Sequence, residues 1–237
     1  MKIESLRFEN LTLQYSPDEK ILNNVEIELP THQVVWVKSS EGQGKSSVLS
    51  LIAGLTQPTS GKYLMNDIDT VPLSFEEFLP LRLHIGYSFD YGGLLSNRTL
   101  IDNLTLPLLY HKFLTPNEAQ FRAEGMLARF NVEKYAQERP AHVPGRVRKI
   151  ACLLRSFIHN PELLVMDDPS VGIGAESSET LVEMLQELRQ DGYINHLYIS
   201  TYDSHFMERF GSHSAMTLAE GNLFVENEQP LRKVVHL

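Results

Sequence analysis

The segment His32 to Lys38 carries the apolar, β-rich run Val34-Val35-Trp36-Val37 and leads straight into Ser39-Ser40-Glu41-Gly42-Gln43-Gly44-Lys45-Ser46. A short run of this kind reads as a buried parallel strand. The two glycines call for a tight turn, and Leu49, Leu51, Ile52 and Leu55 then follow at helical spacing. Strand, glycine turn and helix are the context in which the pattern GxxxxGK(S/T) has a mechanism. Backbone N–H groups turn inward around phosphates at a helix N-terminus, a lysine reaches the terminal phosphate oxygens, and a serine hydroxyl holds Mg²⁺. The segment fits that pattern everywhere except its first glycine, which is Ser39. A chance glycine turn is the plainer alternative, and the flanking strand and helix argue against it.

Around this unit, Leu6 to Tyr15 and Val25 to Leu29 alternate apolar and polar residues, the pattern of antiparallel strands with one exposed face. Gly61 to Asp67, Ile85 to Phe89 and His196 to Ser200 read as further strands, and Ala215 to Val225 as a hairpin about Glu220-Gly221-Asn222. From about Leu94 to Asn160 the chain turns Leu-rich, with helical spacing at Ala123, Met126, Leu127 and Phe130 and again at Ile150, Leu153, Leu154 and Phe157. We read 90–160 as a helical subdomain inserted into a nucleotide-binding core of 1–89 and 161–237, the whole forming one domain. At 237 residues the chain is long enough for that and short for two unrelated domains. A helix capped near Ser177 or Ser178 is expected to bury Leu181, Met184, Leu185 and Leu188 on one face.

Leu163-Leu164-Val165-Met166 is a second buried strand, and it ends in Asp167 and Asp168. A carboxylate at such a strand end can bind Mg²⁺ through its shell of waters, and the next residue is a candidate base for an attacking water. An exposed Asp-Asp-Pro turn is the alternative. The net charge of −9 disfavours a grip on nucleic acid, which needs clustered lysine and arginine. The single cysteine, Cys152, excludes an internal disulfide or a cysteine-based metal cluster and fits a reducing compartment. Charges run through Met1-Lys2-Ile3-Glu4-Ser5-Leu6-Arg7, where a signal peptide would need apolar residues. No run approaches the roughly 18 to 20 apolar residues that cross a bilayer. The expected location is the cytoplasm, with any membrane role coming through a partner on the inner face of the membrane.

Taken in order, these motifs make most of the chain resemble the ATP-binding cassette family. Within it, Phe89-Asp90-Tyr91-Gly92-Gly93-Leu94-Leu95, Thr99-Leu100-Ile101-Asp102-Asn103-Leu104, Leu106-Pro107-Leu108 and Asp168-Pro169-Ser170-Val171-Gly172 look like the Mla-type lipid-transport ATPases. The resemblance implies an α/β phosphate-loop NTPase core of mostly parallel sheet, with a small antiparallel β subdomain and an inserted helical subdomain. It implies ATP and Mg²⁺ as ligands, a second cassette chain, identical or different, and integral-membrane permease subunits. It places Ser39, Ser40, Glu41, Gly42, Gln43, Gly44, Lys45, Ser46 and Ser47 around the phosphates. Tyr15 falls where the family stacks a ring on adenine, a core-packed tyrosine being the alternative. Ser46, Asp167 and Asp90 fall at the metal, and Asp168, Asp90 and Tyr202 at the catalytic glutamate, glutamine and switch histidine.

The departures from the family bear on hydrolysis. The LSGGQ signature corresponds to Val143-Pro144-Gly145-Arg146-Val147, where Pro144 removes a hydroxyl and an N–H and Arg146 stands where close approach needs glycine. The Arg146 guanidinium is expected to be solvated at a helix start, with a charge offered to the γ-phosphate as the alternative. Asp168 sets its carboxylate about 1.5 Å back from a glutamate's, a misplacement that costs about 10²-fold in rate if nothing compensates. Asp90 adds negative charge near the phosphates, and Tyr202 lacks the imidazole. His205 is expected to start the next helix rather than substitute, and Gly174 takes the aspartate position of the dimer-contact loop. The expectation is a transporter ATPase subunit with slow turnover. A regulatory or scaffold subunit that binds without hydrolysing and a soluble non-transport cassette protein are the alternatives. Asp90 to Leu109 is expected to face the permease's coupling helix, a plain core being the alternative.

Overall fold

The computed structural model describes residues 2–16, 19–90 and 92–226. Met1 of the opening segment, Pro17, Asp18, Tyr91 of the Phe89–Leu95 motif and the end of the expected core, 227–237, lie outside the described residues. The chain lays down β1 (Leu6–Ser16) and β2 (Glu19–Glu28), and β3 (Val34–Ser39) then runs through the glycine turn into α1 (Lys45–Ile52). β4 (Ser60–Met65), β5 (Ile68–Asp69), α2 (Phe75–Arg82) and β6 (Ile85–Ser88) follow. Next come α3 (Leu100–Tyr110), α4 (Pro116–Arg129) and α5 (Gly145–Phe157). β7 (Leu163–Asp167), α6 (Ala175–Gln190), β8 (His196–Ser200), α7 (Ser204–Glu208), β9 (Ser214–Ala219) and β10 (Asn222–Glu226) complete it.

The strands form two sheets. One is antiparallel in the order β2-β1-β4-β5. The other runs β10-β9-β3-β8-β7-β6 and is parallel except at its β9–β10 edge hairpin. The α/β phosphate-loop architecture expected from the sequence is therefore present. β3, β7 and β8 are central and buried on both faces, which is why they read as unbroken apolar runs.

Side chains alternate across those strands and feed two different cores. Val34, Leu164, Met166, Leu197 and Ile199 point to the side covered by α3 to α6. Val35, Val37, Leu163, Val165 and Tyr198 point to the side covered by α1 and the antiparallel sheet. The helical stretch thus shares its core with the sheet rather than enclosing one of its own. Contact is close where α5 crosses β6: a Cβ at Gly86 would stand 2.1 Å from the Ser156 carbonyl oxygen, so no side chain fits there. On α3 the leucines divide. Leu100, Leu104 and Leu108 are fully buried, whereas Leu106 and Leu109 stay open to solvent, so neither a plain core nor a plain docking face describes the segment.

Two local readings are corrected. α6 starts at Ala175 with Gly174 (φ 80°) as its N-cap, so Ser177 and Ser178 lie inside the first turn and are buried. The Ser177 hydroxyl serves a neighbouring helix instead of capping its own. α2 was not anticipated: Pro80 sits inside it, and its start is marked by a capping box between Ser74 and Glu77.

Candidate functional site

The glycine turn is shaped by its neighbours. Gly44, the N-cap of α1, has φ 94°, and a Cβ there would lie 2.7 Å from the Ile21 side chain of β2. Only glycine meets both conditions, and the contact fastens the antiparallel sheet to the turn. The first turn of α1 leaves its N–H groups without intrahelical partners, and the helix dipole adds positive potential at the same place. Over it opens a cavity of about 320 Å³ lined by Ser39, Gly42, Gln43, Gly44, Lys45, Ser46 and Ser47 from the turn. Tyr15, Asp167, Asp168 and Tyr202 complete the wall, together with Glu19 and Ile21, which sequence reasoning missed. Ser40 and Glu41 belong to the turn but are exposed outside this lining.

Tyr15 is exposed rather than packed on the core, and its hydroxyl donates to Ser47 Oγ at 3.0 Å. Its ring is available at the cavity rim for stacking. Asp167 is buried and pairs in register with Ser200, whose hydroxyl donates to Asp167 Oδ1. Ser200 was not singled out from sequence, although it ends a buried strand just as Asp167 does. Asp168 leaves the strand in a left-handed conformation (φ 41°) and donates its N–H to the Ser200 carbonyl at 3.0 Å. Its Oδ1 is buried without a hydrogen-bond partner. Burial, with Asp167 and then Asp90 nearby, raises the Asp168 carboxyl above the usual range. A carboxylate with raised proton affinity and a free oxygen beside a phosphate cradle is equipped to take a proton from water. The Asp-Asp pair is therefore no solvated turn.

Asp90 does not line this cavity. Lys149 of α5, itself nearly buried, donates to the Asp90 carbonyl at 2.8 Å and pairs with its Oδ1 at 3.2 Å. Asp90 instead borders a second cavity of about 460 Å³ with Gly145, Arg146, Lys149, Cys152 and Gly172.

Arg146 is half-buried and bonded within the chain rather than simply solvated, contrary to expectation. Its Nε donates to the Ile173 carbonyl at 3.0 Å and its Nη2 to Ser177 Oγ at 2.6 Å. The loop before α6 offers the Ile173 carbonyl and the first turn of α6 the Ser177 hydroxyl, and the guanidinium fork meets both. The signature position is thus tied within the chain to the loop before α6.

At the other wall, Lys45 Nζ lies 3.4 Å from the Tyr202 ring centroid. His205 sits inside α7, exposed and paired with Glu208 at 3.2 Å, and does not line the cavity.

Residues 22–171 match the family model described as "ABC transporter". The chain is 25% identical over 232 residues to the macrolide export ATP-binding/permease protein MacB of Bartonella henselae, covering 96% of this chain and 34% of that protein. It thus spans about a third of the length of those relatives. It is 27% identical over 184 residues to the ABC transporter ATP-binding protein YtrE of Bacillus subtilis, covering 77% of this chain and 79% of that one. The lipoprotein-releasing system ATP-binding protein LolD of Idiomarina loihiensis is 27% identical over 172 residues, covering 72% and 75%. In structure the chain superposes with TM-score 0.83 and 25% identity on the ATP-binding cassette MJ0796, solved as a dimer bound to ADP and Pi, covering 96% of this chain and 99% of that one. With the family match spanning more than half its length and the cassette architecture around it, this chain belongs to the ABC transporter family as an ATP-binding cassette domain.

Proposed function

We propose that this chain binds Mg-ATP as one half of a cassette pair, drives a membrane permease by closing, and hydrolyses slowly. The observation that carries the reading is a phosphate cradle that keeps Gly42, Gly44, Lys45 and Ser46, joined to catalytic positions that are shortened or engaged elsewhere. In this reading Gly42 and Gly44 let backbone N–H groups face the phosphates, Lys45 meets the terminal oxygens, and Tyr15 stacks on the base. Among the described residues no cluster of three or more His, Cys, Asp and Glu side chains would hold a metal by itself. Ser46 and Asp167 suit an ion that arrives with phosphate oxygens. Mg²⁺ bound there neutralises charge on the phosphates. Asp168 orients the attacking water and takes its proton, from further back than a glutamate would. Asp90, held by Lys149 outside the cavity, acts on the site through its charge near Asp168.

Residues 90–160 act, in this proposal, as the helical subdomain that meets the permease. A groove of about 380 Å³ between β6 and α3, lined by Tyr87, Phe89, Leu106 and Tyr110, offers apolar surface for a coupling helix. No helix among the described residues is long and apolar enough to cross a membrane, so the spanning segments belong to a partner in this reading. A lipid-type cargo is supported by the Phe89–Leu95 and Asp168–Gly172 motifs and by the similarity to the lipoprotein-releasing protein LolD. A second reading, a nucleotide-gated scaffold without useful hydrolysis, is favoured by the Arg146 tether.

The test is to isolate the tagged chain from detergent-solubilised membranes and assay Mg-ATP turnover beside Lys45→Ala. Copurification of a polytopic membrane protein, with turnover lost in the variant, is expected. Recovery without any membrane partner contradicts the transporter reading.

A further inference from the structure

Lys45 is 7% exposed and makes no ion pair or hydrogen bond among the described residues. A buried ammonium without compensation is costly. Its Nζ lies 3.4 Å from the centroid of the Tyr202 ring, a cation–π geometry, with the Asp168 carboxyl near enough to feel its charge. The ring itself is 61% exposed and belongs to the same cavity wall. It therefore spans from solvent to the lysine across the phosphate end of the site.

The backbone on either side of that ring is fixed. Trp36 Nε1 donates to the Thr201 carbonyl at 2.9 Å, the Thr201 hydroxyl accepts the Asp203 N–H at 3.0 Å, and Asp203 caps α7 through the Phe206 N–H. Tyr202 is thus an exposed side chain on an anchored loop, and rotation of the side chain alone moves the ring off Lys45.

We propose that Tyr202 is a stand-in ligand for Lys45, occupying with its π face the place that a nucleotide's terminal phosphates require. The proposal rests on the nucleotide-binding reading above and adds a gate to it. A nucleotide whose β- or γ-phosphate reaches Lys45 must displace the ring, whereas one that stops at the α-phosphate need not. The ring thereby sets affinity for di- and triphosphates without touching the base. It also supplies the buried lysine with a partner at contact distance.

Equilibrium binding of ATP, ADP and AMP to the full chain tests this. Tyr202→Ala is expected to bind ATP and ADP roughly 2- to 30-fold more tightly than the native chain, with AMP unchanged. Tyr202→Phe, which keeps the ring, is expected to restore native affinity. With 3-fluorotyrosine at position 202, the fluorine resonance is expected to move on adding ATP toward its position in a Lys45→Met background. Unchanged or weaker ATP binding by Tyr202→Ala overturns the gate while leaving nucleotide binding standing. Tightening by Tyr202→Ala that Tyr202→Phe shares also overturns it, because the hydroxyl rather than the ring would then be responsible. Failure of native, Tyr202→Ala and Tyr202→Phe chains alike to bind ATP overturns the nucleotide reading and the gate with it.

Discussion

The phosphate end and the signature end of this cassette are built from different kinds of contact. At the phosphate end the shape is local: the β3 strand, the Gly42–Gly44 turn and the first turn of α1 are continuous in the chain from Val34 to Val48, with Ile21 closing over Gly44. At the signature end the contacts are distant and internal. Lys149 holds Asp90, and Arg146 holds the loop before α6. In a cassette whose signature reaches toward a partner's nucleotide, such side chains would face outward. Here their donors are already used inside one chain. At this end Asp90 and Arg146 each make bonds within the chain, and under the proposed function those bonds favour holding nucleotide over turning it over.

The largest effect that could break this contrast comes from Lys45→Ala. Removing the ammonium that lines the cavity is expected to weaken ATP binding by about 10² to 10³-fold, measured by calorimetry. A small change would mean that the phosphate end is not the working end. Asp168→Glu sharpens the other half. Restoring the missing methylene is expected to raise single-turnover hydrolysis by up to about 10²-fold with ATP affinity little changed. If the rate stays flat, the Arg146 and Asp90 tethers, not carboxylate reach, limit the chemistry.

Gly44→Ala is expected to cost about 1 to 3 kcal/mol of stability in denaturant unfolding, from left-handed strain and collision with Ile21. Acid probes the α5 side, where burial lowers the His159 imidazole to about 4, well below its ordinary value. The folded state then binds fewer protons than the unfolded chain between those two pKa values. The stabilising contribution is full above about pH 6.5 and is lost as pH falls toward 4. A loss of about 1 to 2 kcal/mol between pH 7 and 5, flattened in His159→Asn, is the expected unfolding result. The smallest effect is Arg146→Ala. Losing its charge-assisted but partly exposed hydrogen bonds to Ile173 and Ser177 is expected to cost about 1 kcal/mol, with faster hydrogen exchange in the first turn of α6.

What could be read from the sequence follows this division. The strands β3, β7 and β8 and the phosphate turn were legible because apolar run, glycine and lysine are neighbours in the chain. Asp167 and Asp168 were legible because a carboxyl pair ending an apolar run is a local pattern. Arg146 was misread because its acceptors, Ile173 and Ser177, lie about thirty residues away. Lys149 carried no signal for Asp90, from which it is separated by 59 residues. Serine's preference for caps misplaced the start of α6, since Gly174 takes that role and Ser177 bonds sideways. The two cores were hidden for a related reason: strands apolar on both faces show no alternation, so the sides they feed emerge only in three dimensions.

The most direct test measures ATP affinity and single-turnover hydrolysis on one preparation of the native chain together with its membrane partner. Saturable ATP binding lost in Lys45→Ala, with turnover far below the roughly 10 s⁻¹ typical of enzymes, is the expected result. Turnover near that typical value would contradict it, showing that the tethered signature end remains fully competent.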